Sequence, residues 1–548
     1  MPQTVAALLR PMLHAHPSAP AQRFLRDGEW HARDYGELHA LVAGVAEGLA
    51  DAGIGRGDRI GLMVRTRPDW TVIELAAAVL GAVLVPVYPT ATPEQLEWLL
   101  ASAEPRMLIV EAGTPLPPAA RGLPAGVVEI GRAEGELGSL LRSSGGLRGT
   151  DKWAAGLPDD VFTIAFSSGS TGRPKGCVIL QRNYAAVLRM VLEAERHPVH
   201  AHAHRASAFI YLPLAHASAR LQQLTSLCLG GEIVYGDGSR GTAGILEQIA
   251  ESAPSYVAGV PRLFEQAAAR HAEDPGGLRA AFGERLVYAL SGGAPLAHDV
   301  LDVYAGAGVA IVDGYGLTES STAVAIGTPH DFRRGTVGRP LPGLEVRIAA
   351  DGEVLVRGPN VFAGYLGDPE ATARAITDGW LRTGDLGRVD EAGFLTITGR
   401  AKNVIVTSTG KNISPEDYEN AFRAETGVED FVLVGDRRPY VIGIAAAGRG
   451  RALETEVLRS AALRLNGERA PQERVQKILV LDEPFRQELG ESTASGKVVR
   501  TAVERRHRDR LDRIYAGDAA TPVLHVEDQP GGIVAAGRPI TGPATEGV

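Results

Sequence analysis

The sequence predicts a mixed α/β protein with three parts: a large N-terminal lobe of layered α/β sheets, a β-rich subdomain, and a smaller, mobile α+β C-terminal domain. Helical and strand-like patterns alternate over roughly the first 330 residues, and short β segments with frequent turns follow from about residue 335. A compact α+β pattern begins near residue 400. Alternating helices and short apolar strands are typical of βαβ units and therefore of a largely parallel sheet.

The N-terminal lobe begins with an amphipathic helix predicted over residues 34–52. Its apolar positions recur at spacings of three and four, which places them on one buried face: Tyr35, Leu38, Val42, Val45 and Leu49. A strand over 59–64, a helix over 70–80 and a strand over 82–86 follow. Further strands are predicted at 106–110, 161–166, 208–212, 232–235, 255–260, 285–290 and 309–313. Residues 112–158 are rich in Gly, Pro and Ser, so irregular connections are expected there.

The remaining chain predicts the β-rich subdomain at about 335–399 and a C-terminal lid domain over 400–516. The subdomain holds strands at 345–348 and 352–357. The C-terminal domain holds strands at 430–434, 440–446 and 477–481 and a helix at 453–465. Residues 1–399 therefore form the N-terminal domain. Residues 517–548 contain many Pro and Gly without periodicity and are predicted to be a disordered tail.

Composition argues against several classes of partner and environment for this chain. Its 548 residues include 56 basic and 65 acidic side chains, a net charge of −9 without a long basic run, which argues against nucleic-acid binding. Two cysteines, Cys177 and Cys228, suggest neither a disulfide framework nor a zinc site, so a cytoplasmic protein is expected. The apolar segment 73–87 is interrupted by Glu74, Gly81 and Pro86, so no stable membrane insertion is expected.

One loop combines small hydroxylated residues, glycines and a lysine directly after the strand at 161–166. It runs from residue 166 to 176, Phe-Ser-Ser-Gly-Ser-Thr-Gly-Arg-Pro-Lys-Gly. Glycines let backbone N–H groups approach an anion, hydroxyls add donors, and lysine adds positive charge, so the composition predicts phosphate binding. The spacing differs from the common P-loop, because this lysine follows proline and precedes glycine.

Further clusters follow predicted strands or turns in the second half of the chain. Ligands bind beyond the carboxyl ends of strands in open α/β sheets, which is where the first two lie. The clusters are Ser-Gly-Gly-Ala-Pro-Leu at 291–296, Asp-Gly-Tyr-Gly-Leu-Thr-Glu at 313–319, Trp-Leu-Arg-Thr-Gly-Asp at 380–385, Gly-Arg at 399–400, the segment 402–419, and Ser-Gly-Lys-Val-Val-Arg at 495–500. Taken alone, each cluster also has a purely structural interpretation: a turn, a core tyrosine or a solvated arginine or lysine.

Together these stretches resemble, in order, the motifs of the acyl-adenylate-forming superfamily, which includes acyl-CoA synthetases, peptide-synthetase adenylation domains and luciferases. The resemblance covers about residues 30–515. It implies ATP-dependent activation of a carboxylic acid as acyl-AMP with release of pyrophosphate, followed by transfer to an acceptor thiol such as that of CoA. It also implies ATP, Mg²⁺ and, as co-substrate, CoA, and a small carboxylic acid as the binding partner.

The resemblance assigns roles residue by residue. Glu319 would hold Mg²⁺, Tyr315 would stack on adenine, Asp385 would accept from the ribose hydroxyls and Lys497 would contact the reacting carboxylate and the α-phosphate. The predicted catalytic residues are Lys497, Glu319, Thr318, His216 and Arg400. The predicted nucleotide-binding residues are Ser167, Ser168, Gly169, Ser170, Thr171, Gly172, Lys175, Gly293, Ala294, Pro295, Asp313, Gly314, Tyr315, Gly316, Thr318, Asp385 and Arg400.

The C-terminal domain is expected to move between the two half-reactions. The resemblance implies a hinge at Lys402, with Gly410 and Lys411 beside the channel for the acceptor. Two local departures lie in this part: Thr407-Ser408-Thr409 precedes Gly410, and Asn403 stands where an acidic residue is common. Both bear on the acceptor step more than on adenylation.

Within the superfamily, the chain resembles the long-chain fatty acyl-CoA synthetases. Tyr-Leu-Pro-Leu-Ala-His at 211–216 carries part of that likeness, and it implies that His216 borders the acyl pocket; a satisfied core histidine is the alternative. Two other functions stay open. One is action on an aromatic or amino-bearing acid, including ATP- and nitrite-dependent diazotisation of an arylamine, in which Gln222 and Gln223 would make the pocket polar, although exposure is the favoured prediction for both. The other is a non-catalytic nucleotide-binding relative.

Overall fold

The computed structural model describes residues 3–133, 136–141, 156–167, 174–194, 206–271, 274–293, 296, 298–409, 411–448, 453–493, 498–518 and 520–526. The chain divides into two compact units. The large unit comprises Met1–Val404 and Arg486–Thr501, and the small unit comprises Ile405–Phe485 and Ala502–Val548. The predicted domain boundary at 399/400 stays a prediction.

The large unit contains most of the strands and helices. Its strands are β1 (Pro20–Arg26), β2 (Glu29–Asp34), β3 (Arg59–Met63), β4 (Val83–Pro86), β5 (Met107–Glu111), β6 (Val127–Ile130), β7 (Val161–Ser167), β8 (Lys175–Leu180), β9 (Ser207–Ile210), β10 (Glu232–Tyr235), β11 (Tyr256–Gly259), β12 (Tyr288–Ser291), β13 (Ile311–Tyr315), β14 (Ala325–Ile326), β15 (Arg339–Pro340), β16 (Glu345–Ile348), β17 (Glu353–Arg357), β18 (Gly364–Tyr365), β19 (Ile376–Thr377), β20 (Trp380–Val389) and β21 (Leu395–Arg400). Its helices are α1 (Val5–Ala15), α2 (Tyr35–Asp51), α3 (Pro68–Leu80), α4 (Pro93–Ala103), α5 (Gln181–Ala194), α6 (Ala217–Cys228), α7 (Gly241–Ser252), α8 (Pro261–Arg270), α9 (Pro275–Ala281), α10 (His298–Gly306) and α11 (Pro369–Ala375).

Two sheets of this unit are largely parallel, as the alternating pattern predicts, with antiparallel pairings at both ends of the first and at one end of the second. Within the described residues, one has the order β15-β14-β13-β12-β11-β9-β10-β1-β2 and the other the order β18-β8-β7-β4-β3-β5-β6. The strands from β13 to β1 run parallel in the first, and β7, β4, β3, β5 and β6 run parallel in the second. The predicted α/β class is therefore confirmed.

A third sheet forms the β-rich part after residue 335. Its order is β16-β17-β20-β19, and β21 pairs with β20. All of its pairings are antiparallel among the described residues. The long hairpin of β20 and β21 matters for the site, because it brings the segments 380–385 and 399–400 side by side.

The main core of the large unit packs around α2 and α3. Tyr35, Leu38, Val42, Val45 and Leu49 are all buried, so the predicted apolar face of α2 is confirmed. Helix α3 is buried along nearly its whole length, because it contributes to a core that also takes in side chains of both parallel-centred sheets. Among the described residues, every helix is too short or too polar to traverse a bilayer.

A buried ion pair explains how α3 tolerates Glu74 in this core. Arg220 donates from Nε and Nη2 to Glu74 Oε1 at 2.8 and 2.6 Å, and Gln223 donates to Glu74 Oε2 at 2.7 Å. A buried charge needs such pairing, because desolvation would otherwise be costly. Gln223 is fully buried in this network, so the prediction that it is exposed is wrong.

The small unit has its own sheet and core. Its elements are β22 (Ile405–Val406), β23 (Asn412–Ile413), α12 (Glu416–Thr426), β24 (Asp430–Val434), β25 (Val441–Ala446), α13 (Thr455–Gly467), β26 (Val475–Leu481), α14 (Arg500–Arg506, which begins at the end of the large unit), α15 (Arg508–Tyr515) and β27 (Leu524–His525). The sheet order is β24-β25-β26-β27. Its core is formed mainly by apolar side chains of α12, α13 and the strands β24, β25 and β26.

Two predictions about irregular segments are corrected. Strand β6 lies inside the segment 112–158 and pairs in parallel with β5. The predicted disordered tail begins too early at 517, because β27 pairs with β26 and the side chain of Val526 is buried. Both strands are short, and each adds to an existing edge, a pairing that local composition does not reveal. Residues 527–548 lie outside the described residues.

Candidate active site

Three side chains from separate motifs meet at the β20–β21 hairpin. Asp385 on β20 is the direct cross-strand partner of Arg400 on β21. Arg400 Nε lies 2.8 Å from Asp385 Oδ1, and the hydroxyl of Tyr315 donates to Asp385 Oδ2 at 2.7 Å. We call Tyr315, Asp385 and Arg400 the β20–β21 cluster. The Asp385 side chain is 3 % exposed, whereas that of Arg400 is 43 % exposed.

Local backbone geometry fixes Asp385 in this cluster. Gly384 has φ +71°, a left-handed conformation that favours glycine. Its N–H donates to Glu353 Oε1 at 2.8 Å, and the N–H of Asp385 donates to Thr383 Oγ1 at 3.1 Å. Burial, followed by the nearby Asp385 carboxylate, raises the pKa of Tyr315, so its hydroxyl stays protonated and donates.

Asp313 lies two residues before Tyr315 on the same strand, β13. It is the register partner of Ser291, the last residue of β12. Burial raises the pKa of the Asp313 carboxyl to about 7. Its Oδ1 is buried and has no hydrogen-bond partner among the described residues. The predicted motifs at 291–296 and 313–319 therefore begin side by side. Asp313 Oδ1 is a buried acceptor at this point that no described residue uses.

The glycine between Tyr315 and Leu317 permits a close approach of two chain segments. A Cβ on Gly316 would lie 1.7 Å from the carbonyl oxygen of Thr322. Only glycine fits there without moving the backbone. The turn that follows, Thr318–Ser320, is a 3₁₀ helix that presents Thr318 and Glu319 as half-buried side chains.

Glu319 is held by a residue from a distant part of the chain. The hydroxyl of Tyr365 on β18 donates to Glu319 Oε1 at 2.8 Å, and the backbone N–H of Phe362 donates to the carbonyl of Glu319 at 2.9 Å. Burial, followed by the charge of Glu319, raises the pKa of Tyr365. Glu319 Oε2 accepts no hydrogen bond from the described residues. A carboxylate with one oxygen available fits Mg²⁺, which proteins usually hold with one or two carboxylates together with substrate phosphates and water.

Lys175 lies beside the same tyrosine. It starts β8 and is the cross-strand partner of Ser167 at the end of β7, so the hairpin brackets the predicted phosphate loop. Lys175 Nζ is 4.9 Å from the centre of the Tyr365 ring and 3.9 Å from Asp368 Oδ2. The side chains of Lys175 and Asp368 are 46 % and 42 % exposed. We call Lys175, Glu319, Tyr365 and Asp368 the β8–β18 cluster.

His216 is the N-cap residue of α6. Its Nδ1 lies 2.8 Å from Ser218 Oγ and accepts from the backbone N–H of Ser218 at 3.3 Å. The ring is half-buried. A capping role satisfies one donor at the helix start, and the predicted place of His216 beside an acyl pocket stays a prediction.

The C-terminal motifs fall on both units. Lys402 lies in the 3₁₀ turn Ala401–Asn403, two residues before the division between Val404 and Ile405. Lys411 is exposed in the small unit, and its carbonyl accepts from the N–H of Thr407 at 2.9 Å. The segment Arg486–Thr501, which contains the predicted Lys497 motif, belongs to the large unit.

Several predicted residues lie outside the described residues: Ser168, Gly169, Ser170, Thr171, Gly172, Ala294, Pro295, Gly410 and Lys497. Of Ser167, only the backbone is described. Gly293 has φ +87°, which suits glycine, and Gly314 lies on β13.

Sequence reasoning missed Tyr365, Asp368 and Glu353 as parts of this region. Tyr365 follows Gly364 in a strand of two residues. A lone glycine and tyrosine of this kind predict no more than a turn beside a short strand. Glu353 begins a strand in the β-rich part. No local pattern distinguishes these residues, since their contacts depend on the pairing of β18 with β8 and of β17 with β20.

Comparison with known protein families decides the classification. The family model described as "AMP-binding enzyme" matches residues 12–366, and the model described as "AMP-binding enzyme C-terminal domain" matches residues 402–519. The chain belongs to the AMP-binding enzyme family. It uses ATP, and it is an AMP-forming ligase that activates a small-molecule acid; the predicted resemblance is thereby confirmed.

Named relatives and solved structures match over nearly the full chain. A long-chain-fatty-acid–CoA ligase of Mycobacterium bovis is 32 % identical over an alignment of 574 positions, gaps included, which covers 90 % of this chain and 93 % of the relative. A feruloyl-CoA synthase of Amycolatopsis sp. is 31 % identical, covering 87 % and 94 %. The crystal structure of the anthranilate CoA ligase AuaEII with anthranoyl-AMP is 20 % identical, with a TM-score of 0.78, covering 92 % of this chain and 98 % of that one. This structural likeness shows the fold.

Proposed function

We propose that this AMP-forming ligase joins a long-chain fatty acid to CoA through an acyl-adenylate. The observation that carries the choice of acid is the 32 % identity to a long-chain-fatty-acid–CoA ligase over 90 % of this chain. The two side-chain clusters support the nucleotide part, because together they offer an aromatic ring, a buried carboxylate, a lysine and a carboxylate suited to Mg²⁺.

In the first half-reaction, a carboxylate oxygen of the acid attacks the α-phosphorus of ATP, and the bond to the departing pyrophosphate breaks. Lys175 and the loop before it bind the pyrophosphate end. Lys497 stabilises charge on the reacting oxygens, and Thr318 donates to phosphate. Glu319 would hold Mg²⁺, which would supply positive charge to the phosphates. Preorganised contacts of this kind are worth roughly 10²–10³ in rate each.

The β20–β21 cluster suits the nucleoside end of ATP. Tyr315 offers a ring face for adenine, and the unpartnered Oδ1 of Asp313 is an acceptor for an exocyclic amino group. Asp385 accepts from the ribose hydroxyls, while Arg400 keeps that carboxylate paired and is itself exposed enough to reach the ligand. Gly293, Ala294 and Pro295 would form the wall beside the base.

The second half-reaction transfers the acyl group to a thiol. The thiolate sulfur attacks the acyl carbon, and AMP leaves with the former carboxylate oxygen. We propose that the predicted C-terminal domain, residues 400–516, turns about Lys402 between the half-reactions; it includes the segment Arg486–Thr501, which is grouped with the large unit in this structure, so the turn would take Lys497 away and bring Gly410 and Lys411 to the acceptor. The division of the chain two residues after Lys402 supports this hinge.

An aromatic acid is the second candidate substrate. The 31 % identity to a feruloyl-CoA synthase over 87 % of this chain favours it. Gln223, which would have made an acid pocket polar, is instead committed to the buried Glu74 carboxylate. The identity to the feruloyl-CoA synthase is therefore the argument for an aromatic substrate.

The test is release of AMP and pyrophosphate by the purified protein with Mg·ATP. The acids are long-chain fatty acids and ferulate-like acids, and an arylamine with nitrite is added as a further substrate, each with and without CoA. Turnover that requires a fatty acid and yields acyl-CoA supports the proposal. Turnover with ferulate-like acids alone supports the second candidate. CoA-independent turnover of the arylamine with nitrite would contradict both.

A further inference from the structure

Tyr365 contacts both charged residues to which the proposed function gives the phosphate end of ATP. Its hydroxyl donates to Glu319 at 2.8 Å, and its ring centre is 4.9 Å from Lys175 Nζ. Glu319 and Lys175 are 144 positions apart in sequence. Tyr365 therefore links a predicted metal carboxylate to the predicted phosphate lysine through one side chain.

The backbone around Tyr365 holds this side chain in place. Tyr365 on β18 is the cross-strand partner of Cys177 on β8, and the N–H of Leu366 donates to the carbonyl of Gly176 at 2.8 Å. The N–H of Tyr365 itself donates to Thr372 Oγ1 at 2.9 Å. The short strand is thus tied to the strand that Lys175 begins.

A second tie connects the same segment to the turn that carries Glu319. Phe362 lies three residues before Tyr365, and its backbone N–H donates to the carbonyl of Glu319 at 2.9 Å. Gly364 lies between, with φ +142°, and a Cβ there would lie 2.7 Å from Thr372 Cγ2. The segment 362–366 is therefore hydrogen-bonded to β8 and to the turn of Glu319 and packs closely against Thr372 on α11, and its one hydroxyl-bearing side chain donates to Glu319.

We propose that Tyr365 is a positioning residue for adenylation: its hydroxyl orients the Glu319 carboxylate for the metal, and its ring face guides the Lys175 ammonium toward the phosphates. A carboxylate with one oxygen fixed by a donor leaves the other oxygen in a defined direction. Residues that hold metal-binding carboxylates typically contribute 10–100-fold to metal affinity or activity. An ammonium over an aromatic face is attracted by about 0.5–1 kcal/mol when exposed. The inference rests on the proposed use of Mg·ATP.

A purely structural role for Tyr365 makes a different prediction. The ring packs edge-on against Phe362, with centroids 4.9 Å apart. If packing were its whole contribution, Tyr365→Phe would keep it and nucleotide and metal binding would be unchanged. The hydroxyl is therefore the atom to remove.

The experiment measures binding of Mn²⁺, a substitute for Mg²⁺, in the presence of ATP and without any acid, so that no turnover occurs. Free Mn²⁺ is read by electron paramagnetic resonance for wild type, Tyr365→Phe and the matched control Tyr304→Phe. Tyr304 donates to the carbonyl of Phe264 in a separate core cluster, so its variant loses one buried tyrosine hydrogen bond outside the site. We expect Tyr365→Phe to bind Mn²⁺ about tenfold more weakly and Tyr304→Phe to bind as wild type does.

A double-mutant comparison tests whether the effect passes through Glu319. With Glu319→Gln already present, Tyr365→Phe should weaken Mn²⁺ binding no further, because the two residues act as one unit. Additive losses, or a Tyr365→Phe variant that binds Mn²⁺ as tightly as wild type, would overturn the role of the hydroxyl. Unfolding temperatures of all variants exclude a folding defect as the cause.

Tyr365→Leu tests the contact with Lys175. It removes the ring as well, so ATP binding in excess chelator, without divalent metal, should weaken relative to Tyr365→Phe by roughly two- to fivefold. Equal affinities would refute the guiding of Lys175. If wild type failed to bind Mn·ATP at all, the proposed function would fail with the inference; wild-type binding with an unchanged Tyr365→Phe variant would contradict the inference alone.

Discussion

The β20–β21 cluster and the β8–β18 cluster each pair an aspartate with a cation, but they are built differently. Asp385 is buried, is a register partner of Arg400 and accepts from Tyr315 as well. Asp368 is half exposed and lies 3.9 Å from Lys175 at the end of a hairpin. The ion pair of the first cluster is preorganised by sheet register and its carboxylate is buried, whereas the ion pair of the second is longer and about half exposed, so that a phosphate can reach it. One end of the proposed nucleotide site thus has a buried carboxylate already paired before the ligand arrives, and the other has an exposed ion pair that can adjust.

The largest expected effect is in the adjustable cluster and concerns chemistry rather than folding. Glu319→Gln keeps an oxygen that accepts from Tyr365 but removes the charge offered to Mg²⁺. We expect the rate of acyl-AMP formation to fall roughly 10²–10³-fold, with an almost unchanged unfolding temperature. ATP–pyrophosphate exchange and a thermal melt measure the two quantities. An exchange rate within twofold of wild type would contradict the metal role of Glu319.

The next effect concerns the strand that leads into the rigid cluster. Because burial raises the pKa of Asp313 from 3.8 to about 7, the folded protein binds more protons than the unfolded chain between those pH values. The free energy of unfolding should therefore fall as pH rises through that window, and the loss should be complete above about pH 7.

Asp313→Asn supplies the comparison, since it removes this titration and keeps the shape. The difference in unfolding free energy between variant and wild type should change by roughly 2–4 kcal/mol from pH 4 to pH 8, in favour of the variant at high pH. Denaturant titrations at several pH values measure it. A difference independent of pH would show that Asp313 is not the titrating group.

A smaller effect is expected from Asp385→Asn. The amide offers one acceptor oxygen where two donors, Tyr315 and Arg400, converge, so one donor loses its partner. The cost should be about 1–3 kcal/mol of unfolding free energy, together with weaker ATP binding. Chemical denaturation and nucleotide titration test this. An unchanged stability would mean that the cluster is not preorganised.

The smallest effect is expected from Asp368→Asn, the matched substitution in the adjustable cluster. Exposed ion pairs contribute about 0–1 kcal/mol, and this one is long as well as exposed. The free energy of unfolding should change by less than about 0.5 kcal/mol. The same denaturation experiment measures it, and a loss as large as that of Asp385→Asn would remove the contrast between the two clusters.

The amino-acid sequence alone determined the class of fold, the family resemblance, all three residues of the β20–β21 cluster, and Lys175 and Glu319 of the β8–β18 cluster. Apolar spacing predicted α2 with its buried face, and alternating segments predicted the parallel sheets, because side-chain periodicity is a local property. The nucleotide motifs were readable because phosphate binding needs glycines, hydroxyls and a lysine close together in sequence.

The tertiary structure decided which distant residues meet. Register pairs Asp385 with Arg400, and the edge strand β18 brings Tyr365 to Glu319 and Lys175. Gln223 is buried because Glu74 on α3 needs a donor in the core, and β27 is ordered because β26 offers it an edge. None of these outcomes has a local signature: hydrogen-bond pairing and charge compensation act between segments that only the folded chain places side by side.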